Sequence, residues 1–276
     1  MGNQELYSSS SSYKLFDQLV KCSICTHVMT NPRLETEDLI SSYSNALDNK
    51  HHLQNELRIT SFEYALKKMI KKLGIRVDDE NINALDIGCA SGAFLLAATR
   101  LTNWSVEGIE PSKQLAEFGI QQYGLKIKQG LFQIEDYRNK RLNVISLWDV
   151  LEHVNEPGQL INDIADSLIG GGYLIINVPN LDSFFARLLG YSWPFYLAVH
   201  IHYFNNQTMK KILSKHDLKI CYSKAYFQKL GLGYAIYRMS KSLSLEFEFN
   251  RFFKLLDVIP IWYNMGQTTF VARKSI

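Results

Sequence analysis

Residues 84–98 read ALDIGCASGAFLLAA, and this stretch decides the fold. Its first half is a short apolar run typical of a buried strand, and its second half has the composition of a helix. Gly88, Ala90 and Gly92 lie between the two halves. Small residues at such a turn let the backbone pass close to a ligand at the carboxyl end of the strand. The stretch therefore predicts a strand, a tight turn and a helix.

The same alternation continues along the chain. Short apolar runs predict strands at 83–88, 104–109, 125–129, 143–148 and 173–178. The segments between them predict helices near 92–101, 112–123 and 156–169. Strands that alternate with helices of this length favour βαβ units and a doubly wound, parallel α/β sheet.

Later segments are less regular. Gly170, Gly171 and Gly172 predict a turn into the fifth strand. Beyond that strand we predict a helix near 206–216, a strand near 218–226, helices within 231–258 and a last strand at 268–274.

The composition excludes several classes of protein. The 276 residues are 46% hydrophobic and 21% charged, with a net charge of +3, as in an ordinary globular protein. This rules out a mainly disordered chain and is too little charge to indicate nucleic-acid binding. No apolar run is long enough to predict a membrane-spanning helix, and the first residues, MGNQELYSSSSSYKLF, do not resemble a secretory signal. We therefore expect a cytoplasmic protein.

Two acids flank the predicted turn. Asp86 ends the first inner strand, and Glu110 ends the next strand, 22 residues beyond Gly88. A carboxylate at the position of Glu110 can accept hydrogen bonds from ribose hydroxyls. A negative charge at Asp86 would repel a pyrophosphate and attract a cationic ligand.

Three segments in order carry a family resemblance. ALDIGCASGAFL (84–95) resembles the first motif of class I S-adenosylmethionine-dependent methyltransferases. ISLWDVLEHVNEPGQLI (145–161) and HIHYFNNQTMKKIL (200–213) are similar to the subgroup that includes ubiquinone-biosynthesis O-methyltransferases and methyltransferases of glycan and antibiotic clusters. The resemblance implies a Rossmann-like, doubly wound sheet of seven strands, mostly parallel with the last strand antiparallel.

The chain divides into three predicted parts. Residues 1–33 look irregular and form a leader with a degenerate zinc-ribbon remnant, and helical spacing predicts N-terminal helices within 34–80. Residues 81–276 form the methyltransferase domain that the resemblance implies, with a C-terminal helical cover. KCSICTHVMTNPR resembles the second half of a zinc ribbon, in which two Cys-x-x-Cys pairs bind the metal. Only Cys22 and Cys25 are present here, so we expect a degenerate ribbon without zinc.

The implied cofactor is S-adenosyl-L-methionine, with S-adenosyl-L-homocysteine as the product. The residues implied to bind it are Asp86, Gly88, Ala90, Gly92, Glu110, Leu131, Phe132, Trp148 and Asp149. Leu131 and Phe132 suggest apolar contact with the adenine, with Glu135 or Asp136 as additional partners.

Methyl transfer to a hydroxyl requires an aligned nucleophile and a base that takes its proton. His153 and His200 are the candidate catalytic residues, with His202 a weaker candidate, because histidine titrates near neutral pH. Each of them has the alternative of a structural histidine. We assign no metal ligand, since the pair Glu152–His153 alone does not indicate a metal.

The acceptor is expected to be a small molecule with a reactive hydroxyl or carbon. A saccharide or lipid-linked glycan precursor is the first choice, a quinone ring the second, and a non-catalytic scaffold that kept the fold is the alternative of another class. Residues 181–204 and 231–264 are rich in aromatic side chains and form the substrate cover. They pack as a lid, bind a partner subunit, or touch lipid at the inner face of a membrane. Nucleic acid is not expected as a partner, and the oligomeric state stays open.

Overall fold

The computed structural model describes residues 18–31, 55–138, 140–197, 199–236 and 255–276. Residues 1–17 of the predicted leader and residues 34–54 of the predicted N-terminal helices lie outside these ranges. The described strands are β1 (Leu19–Lys21), β2 (Val28–Thr30), β3 (Asn83–Ile87), β4 (Ser105–Glu110), β5 (Ile127–Gln129), β6 (Leu142–Trp148), β7 (Leu168–Pro179), β8 (His202–Tyr203), β9 (Leu218–Ala225), β10 (Gln228–Gly231), β11 (Pro260–Tyr263) and β12 (Gln267–Lys274). The described α-helices are α1 (Asn55–Leu73), α2 (Ala93–Leu101), α3 (Lys113–Tyr123), α4 (Pro157–Ser167), α5 (Phe184–Leu189) and α6 (Asn206–Ser214).

Seven strands form the central sheet, in the order β5-β4-β3-β6-β7-β12-β9. The pairs among β3 to β7 are parallel, and β12 runs antiparallel to both of its neighbours. The Rossmann-like sheet with an antiparallel last strand is therefore confirmed. The strand order reverses next to β3, so the carboxyl ends of β3, β4 and β6 meet at one edge, where such sheets bind ligands.

Helix α1 covers one face of this sheet. Its apolar residues recur every three or four positions and are buried at Ile59, Phe62, Leu66 and Met69. The ring of Phe62 packs edge-on against Phe94 of α2, with ring centroids 5.7 Å apart. Burying each such side chain stabilises the fold by about 1.5–3 kcal/mol, so this face holds the N-terminal helix on the domain.

The glycines at 170–172 correct one prediction. They lie within β7, which starts at Leu168, and do not form a turn ahead of the strand. β7 pairs Leu168 with Leu142 and then Tyr173 with Val144, so the glycines form a bulge. A side chain at Gly172 would meet the carbonyl oxygens of Ile169 and Asn143 at 3.0 and 3.1 Å, which explains why glycine is needed there.

The predicted cover contains more strand than expected. β10 and β11, which were not predicted, form an antiparallel ladder of their own on either side of the segment predicted to be helical. Within that segment residues 232–236 are helical, as predicted. Residues 237–254 lie outside the described ranges. In the 181–204 segment Trp193 and Phe195 are buried, and the Trp193 indole donates to the carbonyl oxygen of Met265 at 2.5 Å. These two side chains are buried in a hydrophobic cluster, whereas Phe184 and Leu188 of α5 are exposed.

A third sheet joins β1, β2 and β8 near the start of the described chain. Cys22 and Cys25 lie at the turn of the β1–β2 hairpin. None of the described helices is long and apolar enough to cross a bilayer.

Candidate functional site

Two adjoining cavities open at the edge where β3, β4 and β6 end. The inner cavity has a volume of about 160 Å³ and the outer cavity about 360 Å³. Gly88, Asp149 and His153 line both of them. The turn after β3 and the segment after β6 therefore form a wall that the two cavities share.

The turn after β3 has left-handed backbone at three positions. Gly88, Ala90 and Gly92 have φ values of 72°, 49° and 83°. A Cβ atom on Gly88 would lie 2.5 Å from Cγ2 of Val150, so glycine is required for space as well as for conformation. Gly92 precedes the first residue of α2 and lies against Leu125. It is not among the residues that line the two cavities.

Glu110 holds this turn in place. Its Oε2 accepts a hydrogen bond from the backbone N–H of Ala90 at 2.8 Å, and its Oε1 accepts one from Ser112 at 2.8 Å. Burial raises the pKa of the carboxyl group, and the two N–H donors oppose that shift. The side chain lines the outer cavity, and each carboxylate oxygen has a second lone pair for a ligand hydroxyl.

Asp86 lines the inner cavity and is almost completely buried. Its Oδ1 accepts a hydrogen bond from the Ser146 hydroxyl at 2.6 Å. Burial, together with the nearby charge of Glu110, raises the pKa of Asp86 to about 8. A cation in the inner cavity would favour the ionised form and lower this pKa.

Sequence analysis missed Arg58, which lines the inner cavity from α1. Its positive charge acts on Asp86 and lowers the pKa of that carboxyl group. The inner cavity thus has a cationic group on one side and an acid on the other. The sequence could have indicated this position, because Arg58 lies four residues before Phe62 and next to Ile59, on the side of α1 that packs against the domain.

The outer cavity is mostly apolar. Gly130, Leu131 and Phe132 line it after β5, and the Phe132 ring stacks on Tyr137 with centroids 5.3 Å apart. The acids suggested as additional partners pair elsewhere: Glu135 with Arg138 and Asp136 with Lys128. These residues can therefore make apolar contacts with a ligand in the outer cavity.

Trp148, the last residue of β6, and Asp149, the next residue, line the inner cavity. Trp148 lies in an aromatic cluster, with ring centroids 4.9 Å from Phe62 and 5.3 Å from Tyr226. Asp149 has a φ of 57°, and its Oδ1 accepts hydrogen bonds from the side-chain amides of Asn177 at 2.7 Å and Gln267 at 2.6 Å. Sequence analysis did not identify these two amides, which come from β7 and β12.

His153 faces both cavities. Its Nδ1 donates a hydrogen bond to the carbonyl oxygen of Val199 at 2.7 Å, which leaves Nε2 unprotonated. Burial lowers the pKa of His153 to about 4, so the ring is neutral at physiological pH. His200 lies behind it, with ring centroids 4.7 Å apart, and is not among the residues that line the cavities. Its Nδ1 donates to the carbonyl oxygen of Phe195 at 2.8 Å.

Glu152 completes this cluster. Both of its carboxyl oxygens are buried and have no hydrogen-bond partner among the described residues, and burial next to Asp149 raises its pKa well above the ordinary value. One ligand atom each of Glu152, His153 and His200 lies within 4.8 Å of the others, so this group could hold a metal ion. The expectation that these residues do not bind a metal stays a prediction.

The cysteine pair has no third ligand within the described ranges. Both thiols are free, and the only described group of three possible metal ligands is the one at Glu152. Nε2 of His27, adjacent to the hairpin turn, is 2.9 Å from Nδ1 of His202. Neither histidine lines the two cavities.

The model of a methyltransferase domain family matches residues 51–223, which is more than half of the chain. The chain belongs to this family. Its fold and motifs are those of the class I S-adenosylmethionine-dependent methyltransferases, whose methyl donor is S-adenosylmethionine and whose product is S-adenosylhomocysteine.

Curated relatives match part of the chain. A mitochondrial ubiquinone biosynthesis O-methyltransferase from Candida albicans is 29% identical over 114 residues, covering 38% of this chain and 35% of its own. A ubiquinone biosynthesis O-methyltransferase from Rickettsia prowazekii is 29% identical over 133 residues, covering 47% of this chain and 50% of its own. The chain therefore spans half or less of the length of these two relatives.

Solved structures share the fold at low identity. A SAM-dependent methyltransferase from Archaeoglobus fulgidus has a TM-score of 0.54 and 15% identity, covering 82% of this chain and all of its own. The [4+2]-cyclase SpnF has a TM-score of 0.52 and 14% identity, covering 78% of this chain and 81% of its own. Because a cyclase shares the fold, the acceptor and the reaction must be argued from the site.

Proposed function

We propose that the methyltransferase domain transfers the methyl group of S-adenosylmethionine to a phenolic hydroxyl on a quinone-type ring. The single observation that carries the proposal is the placement of His153. A neutral ring with an unprotonated Nε2 lines both the inner and the outer cavity, at the point where the two meet.

In this proposal, the methionine part of the cofactor binds in the inner cavity, and its ribose and adenine bind in the outer cavity. Arg58 and Asp86 of the inner cavity suit the carboxylate and the ammonium group of the methionine part. Glu110 suits the ribose hydroxyls, and Leu131 and Phe132 suit the adenine. Bound there, the cofactor supplies an electrophilic methyl group on a positively charged sulfur.

His153 takes the proton of the acceptor in this proposal. The acceptor oxygen forms a bond to the methyl carbon as the bond from that carbon to sulfur breaks, and the proton moves to Nε2 of His153. The hydrogen bond to Val199 keeps the ring in the required tautomer. Oxygen attack needs the acceptor about 3–3.5 Å from the methyl carbon and in line with the sulfur.

The acidity of the acceptor decides between the candidate substrates. A histidine whose pKa lies near 4 is a weak base. A phenol, with a pKa of about 10 like tyrosine, gives up its proton far more readily than an aliphatic alcohol. This favours a ring hydroxyl over a sugar hydroxyl and reverses the order expected from the sequence. The names of the curated relatives support the same order.

The proposal is tested with purified protein and labelled S-adenosylmethionine. A prenylated catechol-type ring and a lipid-linked hexose are compared as acceptors, with label transfer and release of S-adenosylhomocysteine as readouts. Transfer to the ring hydroxyl is expected. Transfer to the hexose alone would replace the ring with a saccharide acceptor. If neither S-adenosylmethionine nor S-adenosylhomocysteine binds in calorimetry at millimolar concentration, the chain is a scaffold that kept the fold.

A further inference from the structure

Exposed apolar side chains lie together on α1, β11 and the turn after β9. Tyr64, Phe227 and Trp262 are 39%, 45% and 46% exposed, and Val258 and Ile259 before β11 are 79% and 47% exposed. The rings of Tyr64 and Trp262 are in contact, with centroids 4.8 Å apart. This contact joins the outer surface of α1 to that of β11, and Phe227 lines the same groove as Tyr64. Val258 and Ile259 extend the exposed apolar surface along the chain just before β11.

Lysines border the same patch. Lys67, Lys68, Lys71 and Lys72 are all exposed on α1, and Lys224 is exposed on β9. A groove of about 580 Å³ between α1 and β9 is lined by Tyr64, Lys68, Lys72, Lys224 and Phe227, and none of its described lining residues is acidic. We call the five apolar residues and these five lysines the basic apolar face.

Two acids near this face, Glu63 and Asp257, interact with other residues. Oε1 of Glu63 on α1 is 3.5 Å from Nη1 of Arg100. Asp257, next to Val258, accepts a hydrogen bond through Oδ1 from the backbone N–H of Tyr234 at 2.6 Å. Neither acid is among the described residues that line the groove with the lysines.

We propose that the basic apolar face docks the protein on a membrane surface that contains anionic lipids. Aromatic and aliphatic side chains beside a row of lysines match the two layers of such a surface: the acyl boundary and the charged headgroups. A soluble anion would account for the lysines but not for the exposed Trp262, Val258 and Ile259.

The position of the face relative to the cofactor cavity supports this orientation. Tyr226 lines the groove and is buried beneath it. Its ring lies 5.3 Å from Trp148, which lines the inner cavity. One aromatic layer thus separates the docked face from the inner cavity. This link to catalysis rests on the proposed function, but docking itself does not.

A second exposed apolar set provides a matched control. Phe184, Leu188 and Tyr191 on and after α5 are 69%, 64% and 51% exposed. The nearby Arg187 is paired with Asp182, with Nη2 and Oδ1 3.1 Å apart. This set has the apolar side chains without a row of lysines, so the two surfaces separate the contributions of charge and apolar area.

Co-sedimentation with vesicles tests the proposal. The full chain is mixed with vesicles of phosphatidylcholine alone, and with vesicles in which a quarter of the lipid is phosphatidylglycerol. Binding to the anionic vesicles only, and its loss at high salt, is expected. K68E/K72E should lower the partition coefficient more than about tenfold, since each lysine contributes separately to the attraction. Trp262→Ser should also weaken binding.

Control variants separate docking from net charge and from unfolding. K210E/K215E on and after α6 makes the same change of charge on another surface and should leave binding unchanged. F184S/L188S should also bind normally, and all variants should keep the thermal unfolding midpoint. Equal loss in K210E/K215E, or loss in F184S/L188S alone, would overturn the proposal. So would a solution dimer that Trp262→Ser dissociates while no vesicle binds.

Discussion

The carboxylate of Glu110 accepts a hydrogen bond from the backbone N–H of Ala90, with Oε2 and N 2.8 Å apart. The end of β4 thereby fixes the turn that follows β3. Ala90 has a φ of 49°, a conformation that costs a residue with a side chain about 1–2 kcal/mol. The hydrogen bond to Glu110 offsets part of that cost, so the acid shapes the turn in addition to facing the outer cavity.

Glu110→Gln should weaken the binding of S-adenosylhomocysteine by about 1–3 kcal/mol, because a glutamine cannot accept both N–H groups that the carboxylate accepts. Isothermal calorimetry measures the change. Glu107→Gln is the matched control, since Glu107 lies on the same strand and pairs with Lys140 at the surface. Unchanged affinity in Glu110→Gln would show that this acid does not contribute to the cofactor site.

Binding of S-adenosylmethionine should release close to one proton at pH 7. Asp86 has a pKa of about 8 and is mostly protonated there, and the cationic cofactor lowers that pKa, so the proton leaves on binding. Affinity should therefore rise as the pH increases from about 6 to 8. Calorimetry in two buffers of different ionisation enthalpy measures the release, and Asp86→Asn should abolish it. A wild-type protein that binds without proton release would contradict the placement of Asp86.

Arg58→Ala should weaken S-adenosylhomocysteine but leave 5′-methylthioadenosine unaffected. The first ligand has the amino-acid carboxylate that Arg58 is proposed to meet, and the second lacks it. The loss of a charge-assisted hydrogen bond corresponds to about 1.5–3 kcal/mol. Competition binding with both ligands measures the difference. Equal weakening of the two would indicate that Arg58 holds α1 in place without contacting the ligand.

His153→Ala should lower kcat by about 10²–10⁴-fold with little change in cofactor affinity, as expected for loss of a general base. With saturating cofactor, the wild-type kcat should stay constant as the pH falls from 8 toward 5 and decline only as it passes through about 4, where His153 gains a proton. His216→Ala, after α6, is the control. An inflection near pH 6.5 that His153→Ala leaves in place would assign the base to another residue.

The elements around the first motif could be predicted because their signals are local. Glycine spacing marked the turn at Gly88, and the distance along the chain marked Glu110 as the end of the next strand. Asn177 and Gln267 could not be found this way, because their contacts with Asp149 depend on how β7 and β12 pair with their neighbours.

Two errors have a physical cause. Three successive glycines fit a turn as well as a bulge, and the choice at 170–172 depends on the pairing of β7 with β6. β11 is four residues long and shows little alternation, so its pairing with β10 left no pattern in the sequence.

The closeness of Gly88 to Val150 restricts how this chain can vary over evolutionary time. A Cβ atom at position 88 would lie 2.5 Å from a methyl group of Val150, and these two residues lie on different loops of the domain. Side-chain volume at one position is therefore limited by volume at the other. Homologous chains with a larger residue at the first position are expected to carry a smaller one at the second, a pairwise covariation visible in any sufficiently deep alignment.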